Sequence, residues 1–177
     1  MITYVALLRG INVSGQKKIK MADLRGLLEQ IDLQEVQTYI QSGNIVFQSS
    51  LEAAALRQKM AGVIADYYGF DVPVQVISAN QWREWANENP FLPGHEEDLR
   101  FLHLTILEKD PGQLPPLSFD TKDQFEQRGR LIYLFCPGGY GRSKLTNTFW
   151  ERKAGCAATT RNWKTVRKLA EMVGMGT

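Results

Sequence analysis

Histidine and cysteine are scarce, with two of each in 177 residues. His95 lies in an acidic linker beside Glu96-Glu97-Asp98, adjacent acids that read as solvated, and His103 lies inside a strand, while Cys136 and Cys156 are well separated. No zinc signature, no Cys–His or Ser–His–Asp pattern and no disulfide framework can be built from so few. No metal and no cofactor is therefore expected, and no catalytic residue is assigned. Long hydrophobic runs are missing too, since nothing approaches the ~20 apolar residues of a membrane span. The N-terminus shows no basic region followed by a cleavable apolar stretch, so no secretion signal is expected. Both thiols are then expected to stay free in a reducing, cytoplasmic compartment. Cys136 ends an apolar run, where cysteine packs as a small hydrophobe.

What is present is an ordinary globular composition, 44% apolar and 23% charged, sized for one domain or two small ones. The net charge of +2 conceals an asymmetry. Residues 81–127 hold four basic and ten acidic side chains, a net −6, whereas residues 137–177 hold eight basic and two acidic, a net +6. The tail is the electropositive part of the chain, facing either solvent or the acidic stretch.

Residues 4–8 (Tyr-Val-Ala-Leu-Leu) read as a strand buried on both faces. Leu24, Leu27, Leu28 and Ile31 mark one stripe of a helix. Strands at 36–40 and 45–47 are joined by a hairpin turn at Gln41-Ser42-Gly43-Asn44, where glycine and asparagine tolerate positive φ. Ser49 with Glu52 reads as a capping box opening a second helix with a stripe of Leu56, Met60, Val63, Ile64 and Tyr67, which Gly69 stops. A strand follows at 72–77, then a short helix carrying Trp82 and Trp85. The later chain repeats the order with a strand at 101–107, a proline-rich connection at 110–116 and a hairpin through Gln127-Arg128-Gly129-Arg130. A helix at about 143–153, a strand near 157–160 and a terminal helix striped with Val166, Leu169, Ala170 and Val173 complete it. The expected fold is α+β: two ferredoxin-like (β-α-β-β-α-β) halves packed together, plus a C-terminal helix. The expected divisions are residues 1–79, a helix and acidic linker at 80–98, and residues 99–177.

Three stretches are candidates for binding, against a solvated loop as the alternative for the first and a glycine turn with a merely capping Ser143 for the second. Arg9 and Gly10 open a loop that runs past Asn12 to Lys17, Lys18 and Lys20, just ahead of a helix. Flexible backbone, cations and a helix N-terminus together suit an anion, although the Gly-Lys-Ser/Thr ending of a nucleotide P-loop is absent. Gly138-Gly139-Tyr140-Gly141-Arg142-Ser143-Lys144 is the second, with Ser143 expected to cap the helix, Arg142 and Lys144 to flank its start, and Asn147 to add a donor. Arg161-Asn162-Trp163-Lys164 is the third, where arginine and tryptophan stack on a base or where the tryptophan is simply core.

Two motifs in particular, Leu7-Leu8-Arg9-Gly10-Ile11-Asn12-Val13 and Tyr39-Ile40-Gln41-Ser42-Gly43-Asn44, make the chain resemble a bacterial family catalogued as domain of unknown function 1697. The likeness continues at Phe70-Asp71-Val72-Pro73-Val74, Asn89-Pro90-Phe91, Gly141-Arg142-Ser143-Lys144-Leu145-Thr146-Asn147 and Thr160-Arg161-Asn162-Trp163, and so spans essentially the whole chain. Ser14 departs from it, standing in place of the second glycine of a Gly-Gly pair, which makes the loop less permissive. The resemblance implies a cytoplasmic bacterial protein of two-part α+β fold and no assigned activity, and it draws Gln41, Ser42 and Asn44 into the candidate set. The leading expectation is a protein, monomeric or weakly oligomeric and not membrane-bound, that binds a phosphate-bearing small molecule or other anion through its glycine/basic loops. The alternatives are a nucleic-acid-binding module, with the +6 tail, Trp163 and a sheet face bearing Tyr39 and Phe47, and an enzyme on a phosphorylated metabolite, with Arg9, Arg142 and Lys144 as electrostatic stabilisers.

Overall fold

The computed structural model describes residues 1–174. It forms two compact units, Met1–Trp85 together with the residues from Leu169 onward, and Ala86–Lys168. No helix among the described residues is long and apolar enough to cross a membrane.

The first unit grows from its opening strand. Strand β1 (Ile2–Leu8) is followed by helix α1 (Met21–Glu29), strands β2 (Gln34–Tyr39) and β3 (Asn44–Ser49), helix α2 (Ala53–Tyr68), strand β4 (Val74–Ser78) and helix α3 (Ala79–Ala86). The sheet order is β2-β3-β1-β4, and every neighbouring pair is antiparallel. A helical crossover carries the chain past β3's place to β2, and the hairpin then returns β3 into the gap, the split arrangement that the element order implies. β1 lies between β3 and β4, and Tyr4, Val5, Ala6, Leu7 and Leu8 are all buried, as five successive apolar residues require of a central strand. Tyr4, Ala6 and Leu8 join Ile45 and Phe47 of β3 on one face, where they pack with Leu24 and Leu28 of α1 and Leu56, Met60 and Ile64 of α2. Alternation by two along strands meets a period of three and four along helices, so one face of each element closes a single core.

Two local readings shift. Ser49 ends β3, and its Oγ accepts from the Leu51 N–H in a turn (3.1 Å), so α2 begins only at Ala53 with Glu52 as an N-cap that makes no side-chain bond. Gly69 does end α2, in the left-handed conformation (φ 79°), its N–H bonded to the Ala65 carbonyl.

The second unit repeats the sheet. Strands β5 (Leu102–Leu107), β6 (Gln124–Arg128), β7 (Leu131–Phe135) and β8 (Ala158–Asn162) stand in the order β6-β7-β5-β8, again wholly antiparallel. Helix α4 (Asn147–Ala154) precedes β8, and α5 (Trp163–Gly174) follows it. No helix joins β5 to β6. Pro111, Pro115 and Pro116 remove the N–H groups a helix would use, and Leu114, Leu117 and Phe119 of that connection pack on the unit's core beside Trp150 and Leu145. The Gln127 side chain holds the connection in place: its Oε1 accepts from Leu114 N–H and its Nε2 donates to the Gly112 and Gly129 carbonyls.

α4 also starts later than its preceding serine suggests. Thr146 is the cap, accepting from Phe149 N–H, while Ser143 Oγ donates to Asp123 Oδ2 (2.8 Å) and accepts from Leu145 N–H. Both cysteines are free thiols, and burial pushes Cys136 up to about 11, so it behaves as core.

The β2–β3 turn concentrates the constraint in the first unit. Gly43 has φ 86°, its carbonyl accepts from Leu8 N–H, and a Cβ there would lie 2.7 Å from Leu8 Cβ and 3.0 Å from Ile11 Cδ1. Gly43→Ala is expected to destabilise the protein by about 2–4 kcal/mol, since it combines backbone strain with overlap in the core. Denaturant unfolding measures it. Ile40, three residues earlier, holds φ 49° although it is β-branched and exposed. Ile40→Asn, which tolerates that region, is expected to raise the unfolding free energy by about 1 kcal/mol in the same experiment.

Candidate functional site

The loop from β1 to α1 is folded tightly. Gly10, Asn12, Ser14, Gly15 and Lys17 all have positive φ, and a one-bridge hairpin pairs Val13 with Gln16. Lys17 carbonyl accepts from Asn12 N–H (3.1 Å), closing the loop on itself. The Asn12 side chain then ties the closed loop to its surroundings. Its Oδ1 accepts from Ile19 N–H (2.9 Å), and its Nδ2 donates to the carbonyls of Ile19 (2.9 Å) and Gln41 (2.7 Å). One side-chain amide thus imitates a strand partner for Ile19 and joins the loop to the β2–β3 turn. Asn44 does similar work inside that turn, donating to the Tyr39 carbonyl and to Ser42 Oγ.

Between the loop, the turn and the end of α2 lies an open depression of about 590 Å3, lined by Asn12, Gly15, Lys18, Ile19, Lys20, Asp23, Gln41 and Tyr68. Lys20 is also the N-cap of α1 and makes no capping bond with its side chain, so both lysines stand at the start of that helix. Lys17 is used otherwise: its Nζ donates to the Asp71 carbonyl (2.7 Å) and lies 6.0 Å from the Phe70 ring centre. Tyr68 stacks on Phe70, and Tyr67 meets it edge-on. The Tyr68 hydroxyl is covered and makes no hydrogen bond among the described residues. Burial first, then the Asp23 carboxylate and Tyr67, hold its pKa above the usual phenol value, so it stays a donor at neutral pH.

The second unit uses its sequence-marked residues differently. Arg142 and Lys144 are exposed, the latter 5.1 Å from the Phe119 ring centre, and neither flanks the start of α4 because that helix begins at Asn147. Asn147 Oδ1 accepts from Thr160 Oγ1, which also meets Thr105 Oγ1, both at 2.7 Å. Arg161 is 9% exposed, and burial lowers its pKa to about 10. Asn162 caps α5 by accepting from Thr165 N–H (2.9 Å). Trp163 is fully buried against Tyr133. It offers no face to a nucleic-acid base, and Phe47, expected on an open sheet face, belongs to the core of the first unit.

The fold and these loops can be set beside known proteins. A family model described as protein of unknown function, DUF1697, matches residues 1–133. The chain belongs to this family. A solved structure, the conserved bacterial protein SP0830 from Streptococcus pneumoniae, superposes with a TM-score of 0.70 at 22% identity, covering 97% of this chain and 98% of that one. At that identity the likeness speaks for the fold. No curated protein matches the chain.

Within this DUF1697 chain, the structure brings Arg9, Gly10, Asn12, Lys17 and Lys18 together with Gln41, Ser42 and Asn44 in the first unit, through the Asn12–Gln41 and Leu8–Gly43 bonds. Asn12 and Asn44 have their amide donors committed internally. Tyr68 and Asp23 were not legible as lining residues. Tyr68 reads in sequence only as the last residue before the Gly69 stop, and its position follows from how α2 ends.

His103, the one strand histidine, is buried and stacked on Tyr140 with ring centres 4.4 Å apart. Burial lowers its pKa from 6.5 to about 4, opposed by a backbone bond at Phe101, so it is neutral in the fold. The unfolded chain binds its proton near pH 6.5, so the stability this neutral ring contributes is whole above that pH. It drains away as pH falls toward 4, by up to about 3 kcal/mol. Comparing unfolding free energies of the wild type and His103→Gln from pH 7.5 to 4 is expected to show a steeper acid loss in the wild type.

Proposed function

We propose that the protein binds a small phosphorylated or other anionic ligand, and that the depression beside Lys18 and Lys20 receives it. The observation that carries this reading is the lining of the depression, where Lys18 and Lys20 stand with Asn12, Gln41 and Tyr68 at the start of α1. Ammonium groups supply charge, while N–H and O–H donors supply direction, and an anion uses both.

Two other hollows suit an anion less. The one of about 610 Å3 in the second unit is lined by Glu96, Glu97 and Asp98, and another includes Asp110. Backbone strain also favours the first unit, because Ile40 is held at positive φ immediately before Gln41, and such positions gather where a loop's shape matters to function. Neither nucleic acid nor catalysis has comparable support, since Trp163 and Phe47 are buried and His103 is enclosed and neutral.

Titration with inorganic pyrophosphate by calorimetry tests the proposal. Lys18→Ala with Lys20→Ala is expected to weaken binding at least tenfold and to leave the thermal midpoint nearly unchanged, as both residues are exposed. Arg142→Ala with Lys144→Ala is expected to bind as the wild type does. The reverse pattern would move the site to the second unit.

A further inference from the structure

We infer that the anionic ligand is a mononucleotide, with its phosphates at Lys18 and Lys20 and its base on the aromatic ledge that Tyr68 presents to the hollow. This rests on the anion reading above and narrows it to a chemical class. Size is the first argument. A hollow of about 590 Å3 is far roomier than one phosphate group needs and falls in the range of about 300–1,000 Å3 that small organic ligands occupy.

The second argument is the aromatic wall. Tyr68 and Phe70 stack with centroids 5.9 Å apart and planes 28° from parallel, and Tyr67, 63% exposed, meets Tyr68 at 4.8 Å and 77°. The left-handed Gly69 puts this cluster at the end of α2, and Tyr68 belongs both to it and to the lining that contains the lysines. An aromatic face beside a cationic one matches a ligand that has a flat ring at one end and phosphate at the other, and base–aromatic stacking tolerates any base.

The third argument is Asp23, which lines the same hollow. A carboxylate among lysines repels bare polyphosphate, whereas a ribose hydroxyl or an exocyclic amine donates to it. A mixed lining of two lysines and one aspartate therefore favours a ligand with donors as well as charge.

ADP and pyrophosphate carry similar charge and differ by the nucleoside, so comparing them isolates the ledge. The expected result is that ADP binds the wild-type protein about tenfold or more tightly than pyrophosphate, and that the ratio of the two affinities falls toward one in Tyr68→Leu. Equal wild-type affinities would overturn the nucleotide inference and leave the anion reading standing. Failure of both ligands to bind would overturn both. A single-stranded oligonucleotide that outcompetes ADP, with affinity falling steeply as salt rises, would overturn the inference in favour of a nucleic-acid strand. If Tyr68→Leu does not fold, the wild-type comparison decides, together with saturation transfer from the protein to the adenine protons of bound ADP, whose absence would also overturn it.

Discussion

The first unit's loop architecture depends on one side-chain amide. Asn12 gives both of its N–H donors to carbonyls and takes Ile19 N–H on its oxygen, reaching partners 7 and 29 residues further along the chain. Without it, the loop after β1 would have to satisfy Ile19 and Gln41 with water, and the relation between that loop and the β2–β3 turn would loosen. A backbone segment cannot do this job, because a strand brings its donors and acceptors at fixed spacing. A short amide can enter where the chain turns too sharply for a ladder.

That anchoring explains how strained backbone survives there. Asn12, Ser14, Lys17 and Ile40 all hold positive φ without being glycine, each at a cost of the order of 1–3 kcal/mol at worst for the β-branched case. The surroundings hold these angles in place. Leu8 N–H binds the Gly43 carbonyl, Arg9 N–H binds the Pro73 carbonyl, and Gly43 leaves no room for a side chain against Leu8. β1 is buried throughout, so the loop starts from a rigid point. The result is a surface hollow with a fixed wall and exposed lysines.

The second unit shows the same sheet used with a different cover. Where the first unit packs α1, the second packs Leu114, Leu117 and Phe119 from a connection that contains no helix, held by the Gln127 amide. Its basic and polar candidates are mostly absorbed into structure: Ser143 pairs with Asp123, Asn147 with Thr160, Asn162 caps α5, and Arg161 is buried. A charged residue near glycines in sequence is thus a weak guide to a site, because caps and turns use the same residue types.

Much of the framework was legible because it rests on local rules. Five apolar residues in a row announced β1 as a buried strand, Gly69 announced a helix end by its tolerance of the left-handed conformation, and the Leu24, Leu27 and Leu28 stripe announced α1. Helix starts were less legible. Ser49 and Ser143 each accept a backbone N–H two residues ahead in a turn, and the same hydroxyl chemistry makes an N-cap. Residue order by itself determined which segments are apolar, where the chain can reverse and which residue types are available for binding. Only the tertiary structure decided that Phe47 and Trp163 face cores, that Asn12 meets Gln41, and that Tyr68 and Asp23 stand beside Lys18 and Lys20. The reason is physical: periodicity and turn chemistry act over a few residues, whereas burial of a face and the partner of an amide are settled by segments tens of residues away.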